Sequence, residues 1–578
     1  MTQEAPPGAS RASRAATVAA GIFASRLVGF LRERAVAYFF GVGAHADVFQ
    51  AAFRAPNLLQ NLLGEGTVSA AFIPIYSRML EEGRERDAGR FAGAVFGLLL
   101  AAAAALALIG FTLARPIVAV LSSGFLGDAA RVAAGEMTVD RFALASQAVK
   151  IVFPMTGLLV LSAWALGVLN SHRRFFLPYF APVLWNAAVI AALVVAARAW
   201  GVGPTVAGEG APSIDLDRLV LAACVGGLAG GLLQFAVQLP LVAREMTGFR
   251  LSFSTAVPGV GRALRAFGPV VAGRGVYQLS AYLDVVLASL LAVGALGALR
   301  YAQILYVLPV SLFGLSVAAS ELPELSRLQG GAPDGEGGAA GGGEGGGGDG
   351  RFAARLERSL GQMLFFTLPT TAGYFAFGFL LVGAIFATGS FARADNWLVY
   401  LALASYTAGL PATTASRLLQ NAFYARSDTT TPAKIAVVRV AVGAVAAVPL
   451  MFWLDRFAIA PLIGLPAAGH PLFLGAAGLA AASGLGAWTE LALLRRALQR
   501  RLPGFHFSRV ALVKMTALAL GALAPAGLLW WLLPPWHIAL QAPVVVGVYG
   551  AAYLGAAHLL GLPQMAAWSE RLRRRPTA

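Results

Sequence analysis

Long apolar segments follow one another along almost the whole of this 578-residue chain. A helix needs about 20 mostly apolar residues to cross a bilayer, and about fourteen segments reach that length. Their approximate limits are 17–40, 46–77, 90–120, 143–169, 176–199, 219–243, 266–293, 296–324, 356–388, 397–424, 432–454, 471–494, 509–533 and 540–562. The pattern predicts an all-α polytopic membrane protein with about fourteen transmembrane helices.

A row of polar residues interrupts the second apolar segment. The row consists of Asp47, Gln50, Arg54, Asn57, Asn61 and Glu65. Steps of three and four residues place these side chains along one face of a helix. A charge at bilayer depth costs roughly 2.5–3.5 kcal/mol on insertion scales. We therefore expect the row to face a water-filled cavity or a protein partner, as in a protein that moves a charged, polar cargo across a bilayer.

The second segment is also too long for a straight, simple span. Residues 46–77 would extend about 48 Å at 1.5 Å per residue, whereas the hydrocarbon core of a bilayer is about 30 Å thick. Pro56 and the pair Gly64 and Gly66 are the expected sites of kinks.

The composition excludes a soluble globular class, because 58% of the residues are hydrophobic and only 12% are charged. The mean hydropathy is +0.70. The formal net charge is +16, but the basic residues are scattered among short loops, so we expect no nucleic-acid partner. The single cysteine, Cys224, excludes a disulfide within one chain.

Basic residues lie mainly on one predicted side of the membrane. The N-terminal tail, the even-numbered connections and the C-terminal tail carry most of them, including Arg84, Arg86, Arg90, Arg173, Arg174, Arg495, Arg496, Arg500, Arg501, Arg573, Arg574 and Arg575. The opposite loops carry Arg131, Arg141, Arg198, Arg218, Arg393 and Arg456. The positive-inside rule then places both termini in the cytoplasm.

Other basic residues lie within the predicted spans or at their edges. They are Arg26, Arg32, Arg34, Arg54, Arg115, Lys150, Arg274, Arg300, Arg417 and Arg439. Those near span ends, such as Arg34 and Arg439, can extend their charge to the headgroups. Arg26, Arg32 and Arg54 instead have acidic residues of the same segments nearby, and they are candidates for a functional site.

Signatures of catalysis and of ATP hydrolysis are absent from the sequence. No segment has the Walker spacing of glycines followed by Lys-Ser/Thr. The six histidines lie far apart and make no metal-ligand pattern. We expect a secondary transporter or flippase without cofactors, whose site lies near the bilayer midplane.

Four short motifs between Ser25 and Pro74 carry a family resemblance. They are SR-x-x-GF-x-R from Ser25, G-x-x-x-x-x-D ending at Asp47, PNLL from Pro56 and EG-x-x-S-x-AF-x-P from Glu65. Together they resemble the N-terminal signature of the MurJ/MviN family, which comprises lipid II flippases of the multidrug/oligosaccharidyl-lipid/polysaccharide (MOP) exporter superfamily. Segments 173–186, 230–240 and 421–436 are similar to that family as well.

The resemblance implies a two-lobe transporter of the bacterial inner membrane. Its expected divisions are a cytoplasmic tail at 1–16, a first lobe at 17–243, a cytoplasmic connection at 244–265, a second lobe at 266–494 with a Gly-rich cytoplasmic linker at 329–350, two further spans at 495–562 that form a groove for a lipid tail, and a basic cytoplasmic tail at 563–578. The implied cargo is lipid II, the undecaprenyl-pyrophosphate-linked cell-wall precursor. The lobes would alternate between two open forms, driven by membrane potential or a coupled cation.

The same resemblance gives roles to the charged residues. Arg26, Arg32 and Arg54 would clamp the cargo's pyrophosphate, because guanidinium groups bind phosphate bidentately. Glu33 and Glu65 would keep the empty arginines paired. The remaining candidates are Asn57 as a helix-holding or cargo-contacting residue and Asp47 in an outer gate. The alternative is that these charges form a buried network that fixes how the first two spans pack.

Three positions depart from the family pattern. Gln60 and Asn61 follow the PNLL motif where many members carry arginine, and Ile304 stands five residues before Pro309 where many also carry one. Arg300, one helical turn before Ile304, and Arg274 are candidate substitutes that would bind the cargo instead. The departures keep open an exporter of another polyprenyl-linked saccharide or of an amphipathic drug, and a degenerate transporter that serves as a cell-wall scaffold.

Two acidic residues are candidates for a sodium site in the second lobe. Asp284 matches an acidic position of that kind, and a mid-span acid is a functional candidate by default. Asp428 is the second candidate, although a helix-capping role in its turn also explains it. The expected partners are lipid II or a related polyprenyl-pyrophosphate saccharide, membrane lipids and cell-wall synthesis proteins, and the expected state is a monomer.

Overall fold

The structure is a computed structural model that describes residues 7–204, 213–329, 348–464, 471–534 and 537–566. Within these ranges the chain is helical apart from its turns, and one isolated bridge pairs Ala458 with Phe473. The all-α prediction is confirmed. The Gly-rich linker expected at 329–350 and the basic tail at 563–578 lie almost wholly outside the described residues.

The chain divides into two compact units. The first comprises residues 1–297 with two short additions, 388–392 and 468–470, and the second comprises the remainder. The helices that begin in the first unit are α1 (Pro7–Phe40), α2 (Ala44–Leu63), α3 (Glu65–Glu81), α4 (Glu85–Thr112), α5 (Ala114–Leu121), α6 (Asp128–Ala133), α7 (Arg141–Ser171), α8 (Phe176–Trp200), α9 (Ser213–Ala236), α10 (Leu239–Glu245), α11 (Val260–Ser289) and α12 (Ala295–Pro309).

The second unit begins within α12, at Ala298, and contains the remaining helices. A π-helical turn at Val310–Leu315 follows α12. The later helices are α13 (Ser316–Gln329), α14 (Gly348–Phe386), α15 (Arg393–Ala408), α16 (Leu410–Ala425), α17 (Thr430–Leu454), α18 (Ile459–Leu462), α19 (Gly475–Arg501), α20 (Arg509–Gly521), α21 (Leu523–Leu532) and α22 (Ile538–Leu559). The lobe boundaries expected from the sequence stay a prediction.

Ten helical segments among the described residues are long and apolar enough to cross a membrane, and a bent pair at Ala114–Leu121 and Ser123–Ala133 would add one more. α1 and α2 are outside this set even though they coincide with predicted spans. The chain is thus a multi-pass membrane protein. The count of fourteen and the cytoplasmic termini stay predictions.

The long second apolar segment is broken in two. α2 ends at Leu63, and α3 begins at Glu65 after Gly64, whose amide still donates to the Gln60 carbonyl at 2.7 Å. The expected kink at the glycine pair is therefore confirmed. Pro56 lies inside the continuous helix α2.

Aromatic side chains fill the core of the first unit between α3, α4 and α7. Phe72 stacks on Phe91 with ring centroids 5.4 Å apart, and Phe96 packs on Trp164 at 4.7 Å. Trp164 also donates its indole N–H to the Ala92 carbonyl at 3.1 Å. This core fixes the three helices against one another.

The core of the second unit joins α14 to α22. Tyr553 donates to the Phe365 carbonyl at 2.8 Å, and Tyr549 donates to the Pro369 carbonyl at 2.8 Å. Both tyrosines are almost fully buried. Their hydroxyls satisfy carbonyls near Pro369, where a helix has lost one of its own N–H donors.

Candidate functional site

Arg32 lies at the centre of a buried polar cluster in the first unit. Its Nη2 donates to Glu33 Oε1 at 2.6 Å, and its Nη1 donates to Asn186 Oδ1 at 3.0 Å. Gln50 on α2 donates to the second oxygen of Glu33 at 3.2 Å. The guanidinium also lies over the ring of Trp185, 4.6 Å from its centroid. The cluster thus joins α1, α2 and α8 within the apolar helices.

The cluster supplies hydrogen-bond and ion-pair partners to a guanidinium that is almost fully buried. Arg32 is 9% exposed and Glu33 is 2% exposed. A buried ion pair survives desolvation only when further hydrogen bonds complete it, and removing one partner costs about 3–5 kcal/mol. Glu33 is thus paired with an arginine, while the cargo roles predicted for both residues stay predictions. The arrangement matches the packing network that the sequence left open as an alternative.

The other predicted cargo residues of α1 and α2 lie outside this cluster. Arg26 is exposed on α1, and Arg54 and Asn57 are partly buried on α2. The main-chain carbonyl of Arg54 accepts a hydrogen bond of 2.5 Å from the hydroxyl of Tyr282. The roles predicted for Glu65 and Arg274 concern side chains that lie outside the described part of the structure.

Asp47 anchors a second buried network. Its Oδ2 accepts hydrogen bonds from the Gly294 amide at 2.7 Å and from Arg141 Nη1 at 3.3 Å, and its Oδ1 accepts from the Gly297 amide at 3.0 Å. Arg141 in turn donates to both carboxylate oxygens of Asp128, from Nε at 2.6 Å and from Nη2 at 3.1 Å. The carboxylate therefore holds the turn that leads into α12.

Arg141 is the residue that sequence reasoning missed. The sequence placed it in a loop on the side opposite the termini and did not foresee its burial. In the structure it begins α7, is 2% exposed, and its guanidinium lies over Phe125 at 4.3 Å. One of its two acidic partners, Asp47, is distant in sequence. The available signal was Asp128 itself, an acid beside a strongly apolar segment with an arginine soon after it.

The second unit contains its own buried ion pair. Glu490 on α19 is 2% exposed. It accepts from Arg439 Nη1 at 2.8 Å and from Gln420 Nε2 at 2.8 Å. Arg439 therefore pairs inside the unit, where the sequence had left an extension to the headgroups open. The cluster ties α16, α17 and α19 together.

Arg300 and Asp284 both lie within helices and are partly buried. Arg300 is partly buried on α12, as is Ile304 one turn later. Asp284 is partly buried on α11. Its sodium role stays a prediction, and among the described residues no group of three or more His, Cys, Asp or Glu side chains could hold a metal ion.

Asp428 has the contacts of a helix cap. Its Oδ1 accepts from the Thr430 and Thr431 amides at 3.0 and 2.9 Å, and its Oδ2 pairs with Arg501 at 2.6 Å. Hydrogen bonds from Thr431, with those from Thr430 and Arg501, hold the pKa of this carboxyl well below its usual range. These contacts begin α17 and give Asp428 a structural role; its sodium role is untested.

Comparisons with known proteins place this arrangement in a family. The family model described as lipid II flippase MurJ matches residues 36–547. The chain is 30% identical over 565 residues to the lipid II flippase MurJ of Burkholderia cenocepacia, and the alignment covers 94% of this chain and 96% of that protein.

Solved structures support the same assignment at the level of the fold. Lipid II flippase MurJ in an inward closed conformation has a TM-score of 0.68 at 20% identity, covering 94% of this chain and 99% of that one. An inward-facing multidrug resistance MATE family transporter of the MOP superfamily has a TM-score of 0.57 at 14% identity, covering 82% and 94%. Since the family model spans most of the chain, this protein belongs to the lipid II flippase MurJ family.

Proposed function

We propose that this protein moves lipid II from the cytoplasmic to the periplasmic leaflet of the bacterial inner membrane. The family match over residues 36–547 carries the proposal. The name of the Burkholderia cenocepacia relative, similar over nearly its whole length, supports the same cargo. Translocation of lipid II carries an anionic pyrophosphate past apolar helices. A guanidinium among those helices can pair with that negative charge.

Arg32 is the arginine to which we assign the central contact. Glu33 neutralises it while the site is empty, at 2.6 Å. A pyrophosphate offers the same bidentate acceptor geometry with more charge, so it can displace the carboxylate. When cargo leaves, Glu33 pairs with Arg32 again. The exchange keeps the guanidinium from standing unpaired at low dielectric.

Transport would proceed by alternation of two lobes around the cargo, driven by membrane potential or a coupled cation. No ATP hydrolysis is proposed, because the sequence lacks the Walker spacing. Asp47 would act in the outer gate through its hold on the turn at Gly294 and Gly297. Release of that turn would then accompany opening.

Complementation of a strain depleted of its lipid II flippase tests the cargo and Arg32 together. Wild type should restore growth, and Arg32→Ala should abolish rescue because the pyrophosphate loses its cation. Arg32→Lys should rescue partially, since an ammonium keeps the charge but not the bidentate geometry. Arg34→Ala is the matched control, because Arg34 is an exposed arginine on the same helix.

The outcomes separate the two parts of the proposal. Rescue by Arg32→Ala at normal membrane levels would contradict the role of Arg32 but not the cargo. Failure of wild type despite good membrane expression would favour another polyprenyl-linked saccharide as cargo. This second outcome is worth testing because the chain departs from the family pattern at Gln60, Asn61 and Ile304.

The same assay tests whether other arginines replace the missing ones. Arg300→Ala and Arg274→Ala should each reduce rescue if they contact cargo in place of a cation near Ile304. Full rescue by both variants, together with loss of rescue in Arg54→Ala, would contradict the hypothesis that Arg300 and Arg274 replace the missing arginines. Membrane levels of each variant must match wild type for the comparison to count.

A further inference from the structure

A partly enclosed apolar cavity lies within the first unit, and its lining shares no residue with the Arg32 cluster. Its volume is about 180 Å³, and each described residue that lines it is hydrophobic. Helices α3, α4, α7 and α11 and the last residue of α2 contribute the walls. An apolar cavity of this size stays dry and binds hydrocarbon.

The cavity is elongated along α4. The residues of α4 that line it are Val95, Leu98, Leu99, Ala102, Ala103 and Leu106. Their steps of three and one place them on a single face of the helix. From the first to the last, that face extends about 16 Å at 1.5 Å per residue. The cavity is therefore a slot that runs parallel to a membrane-spanning helix, which is the direction of a lipid chain in a bilayer.

The slot reaches the protein surface at two of its lining residues. Ala102 on α4 and Leu264 on α11 both line it and are both exposed. Leu264 is 49% exposed. In a membrane protein exposed apolar surface of this kind meets lipid rather than water. Hydrocarbon chains of the surrounding bilayer therefore lie next to the slot.

Two arginines lie beside the slot on the first turns of α11. Arg262 and Arg265 are exposed and three residues apart, so they share a face of the helix. They alternate with Ala263, Leu264 and Phe267, which line the slot. Arg265 Nε donates to the Gly261 carbonyl at 3.2 Å, and neither arginine pairs with a carboxylate among the described residues. An apolar slot next to two uncompensated cations is complementary to a molecule with a hydrocarbon chain and a negative headgroup.

We propose that the slot between α3, α4 and α11 binds one acyl chain of an anionic membrane phospholipid, with its phosphate on Arg262 and Arg265. The surrounding leaflet supplies this ligand in excess. The headgroup lies where the positive-inside pattern predicts the cytoplasmic surface. Bound lipid would fill the space between α4 and α11 and stiffen their contact.

Photolabelling of the full-length protein in liposomes tests the proposal. The probe is phosphatidylglycerol that carries a diazirine on its acyl chain, and labelled peptides are mapped by mass spectrometry. Label is expected on α4 between Val95 and Leu106 and on the first two turns of α11. Ala102→Phe should reduce this label several-fold, because the new ring fills the slot. Ala105→Phe is the matched control, an exposed alanine of α4 that does not line it.

A second pair of variants tests the headgroup. Arg262→Gln/Arg265→Gln should lower labelling by phosphatidylglycerol to the level given by the matching phosphatidylcholine probe. Arg86→Gln/Arg90→Gln removes two exposed arginines at the start of α4 and should leave labelling unchanged.

Each contrary outcome overturns the proposal. Equal labelling of wild type by both headgroups would exclude the anionic ligand, and label that persists in Ala102→Phe would exclude the slot. Label at the slot from a diazirine polyprenyl phosphate but not from phosphatidylglycerol would assign it to the cargo's chain instead. The unfolding temperature of each variant must match that of the wild type. We expect this match because all the substituted residues are exposed.

Discussion

Two buried guanidinium groups in the first unit differ in how firmly they are held. Arg141 has carboxylates on both sides, Asp128 at 2.6 Å and Asp47 at 3.3 Å. The described contacts of Arg32 include the carboxylate of Glu33 and the amide of Asn186, and its side chain is 9% exposed against 2% for Arg141. A guanidinium held between two buried carboxylates exchanges them for another anion less readily than one that keeps some exposure. Arg32 therefore suits a cargo contact and Arg141 suits a structural joint.

Removal of Arg141 should destabilise the first unit strongly. Arg141→Ala leaves two buried carboxylates without their cation, and removal of one partner from a buried pair costs about 3–5 kcal/mol. We expect a clear fall in the unfolding temperature of the purified protein, measured by tryptophan fluorescence. Arg141→Lys should recover part of it, because one charge returns without the bidentate contact.

Arg131 offers the control for this prediction. It lies 3.9 Å from the same Asp128, but its side chain is 49% exposed. A solvent-exposed pair contributes about 0–1 kcal/mol, so Arg131→Ala should leave the unfolding temperature nearly unchanged. Equal effects of the two substitutions would show that burial does not decide the strength of this network.

Sequence reasoning reached some residues of the site and not others for a physical reason. Arg32 and Glu33 are neighbours inside an apolar helix, so their mutual pairing follows from local cost alone. Asp47 was visible for the same reason. Arg141 lies at the first residue of α7, where a charge can reach water, and only tertiary contacts with Asp128 and Asp47 bury it.

At the scale of elements, the connection before α11 packs directly on α4. Three glycines at four-residue spacing, Gly89, Gly93 and Gly97, lie against the backbone of Thr247, Arg250 and Ser252. The Ser252 amide donates to the Gly93 carbonyl. A cytoplasmic connection at 244–265 was expected from the sequence, but its close packing was not, because glycine spacing alone does not identify what approaches it.

A methyl group at Gly93 should displace this connection. A Cβ there would collide with the Arg250 carbonyl, and backbone cannot move aside as a flexible side chain can. Gly93→Ala should therefore speed trypsin cleavage after Arg250, even though alanine favours helix by roughly 0.5–1 kcal/mol. Cleavage is followed by mass spectrometry of the released fragments.

Gly268 provides the matched control. It lies in α11 of the same unit, and a Cβ there would meet nothing within 4 Å. Gly268→Ala should leave cleavage after Arg250 at the wild-type rate. Unchanged cleavage in Gly93→Ala would mean that the connection does not depend on close approach to α4.

The second apolar segment shows which residues were sufficient to predict a helix break from the sequence. Gly64 separates α2 from α3, and the sequence predicted a kink there because glycine lacks a side chain to support the helix. Pro56 was expected to kink the same segment, yet α2 continues through it. A proline removes one N–H and still leaves a helix intact when neighbouring helices compensate in a membrane.

At the scale of the whole molecule, apolar segment length predicts the fold class and the motifs between Ser25 and Pro74 predict the family. Both follow from constraints that act along the chain: a bilayer demands helices of a minimum length, and a cargo demands charges at depth. The coupling ion does not follow from such constraints. It depends on which carboxylates remain available to a cation once the helices have packed.

Sodium dependence can be assigned by comparing the two candidate carboxylates. Asp428 already caps α17 and pairs with Arg501, and its lowered pKa keeps it charged throughout the neutral range. Asp428→Asn should therefore keep any sodium dependence of lipid II translocation in proteoliposomes. Asp284→Asn should remove it, because a carboxylate within a predicted span is a functional candidate by default. Sodium-dependent translocation that survives Asp284→Asn would eliminate this site, and its loss in Asp428→Asn alone would move the site to the start of α17.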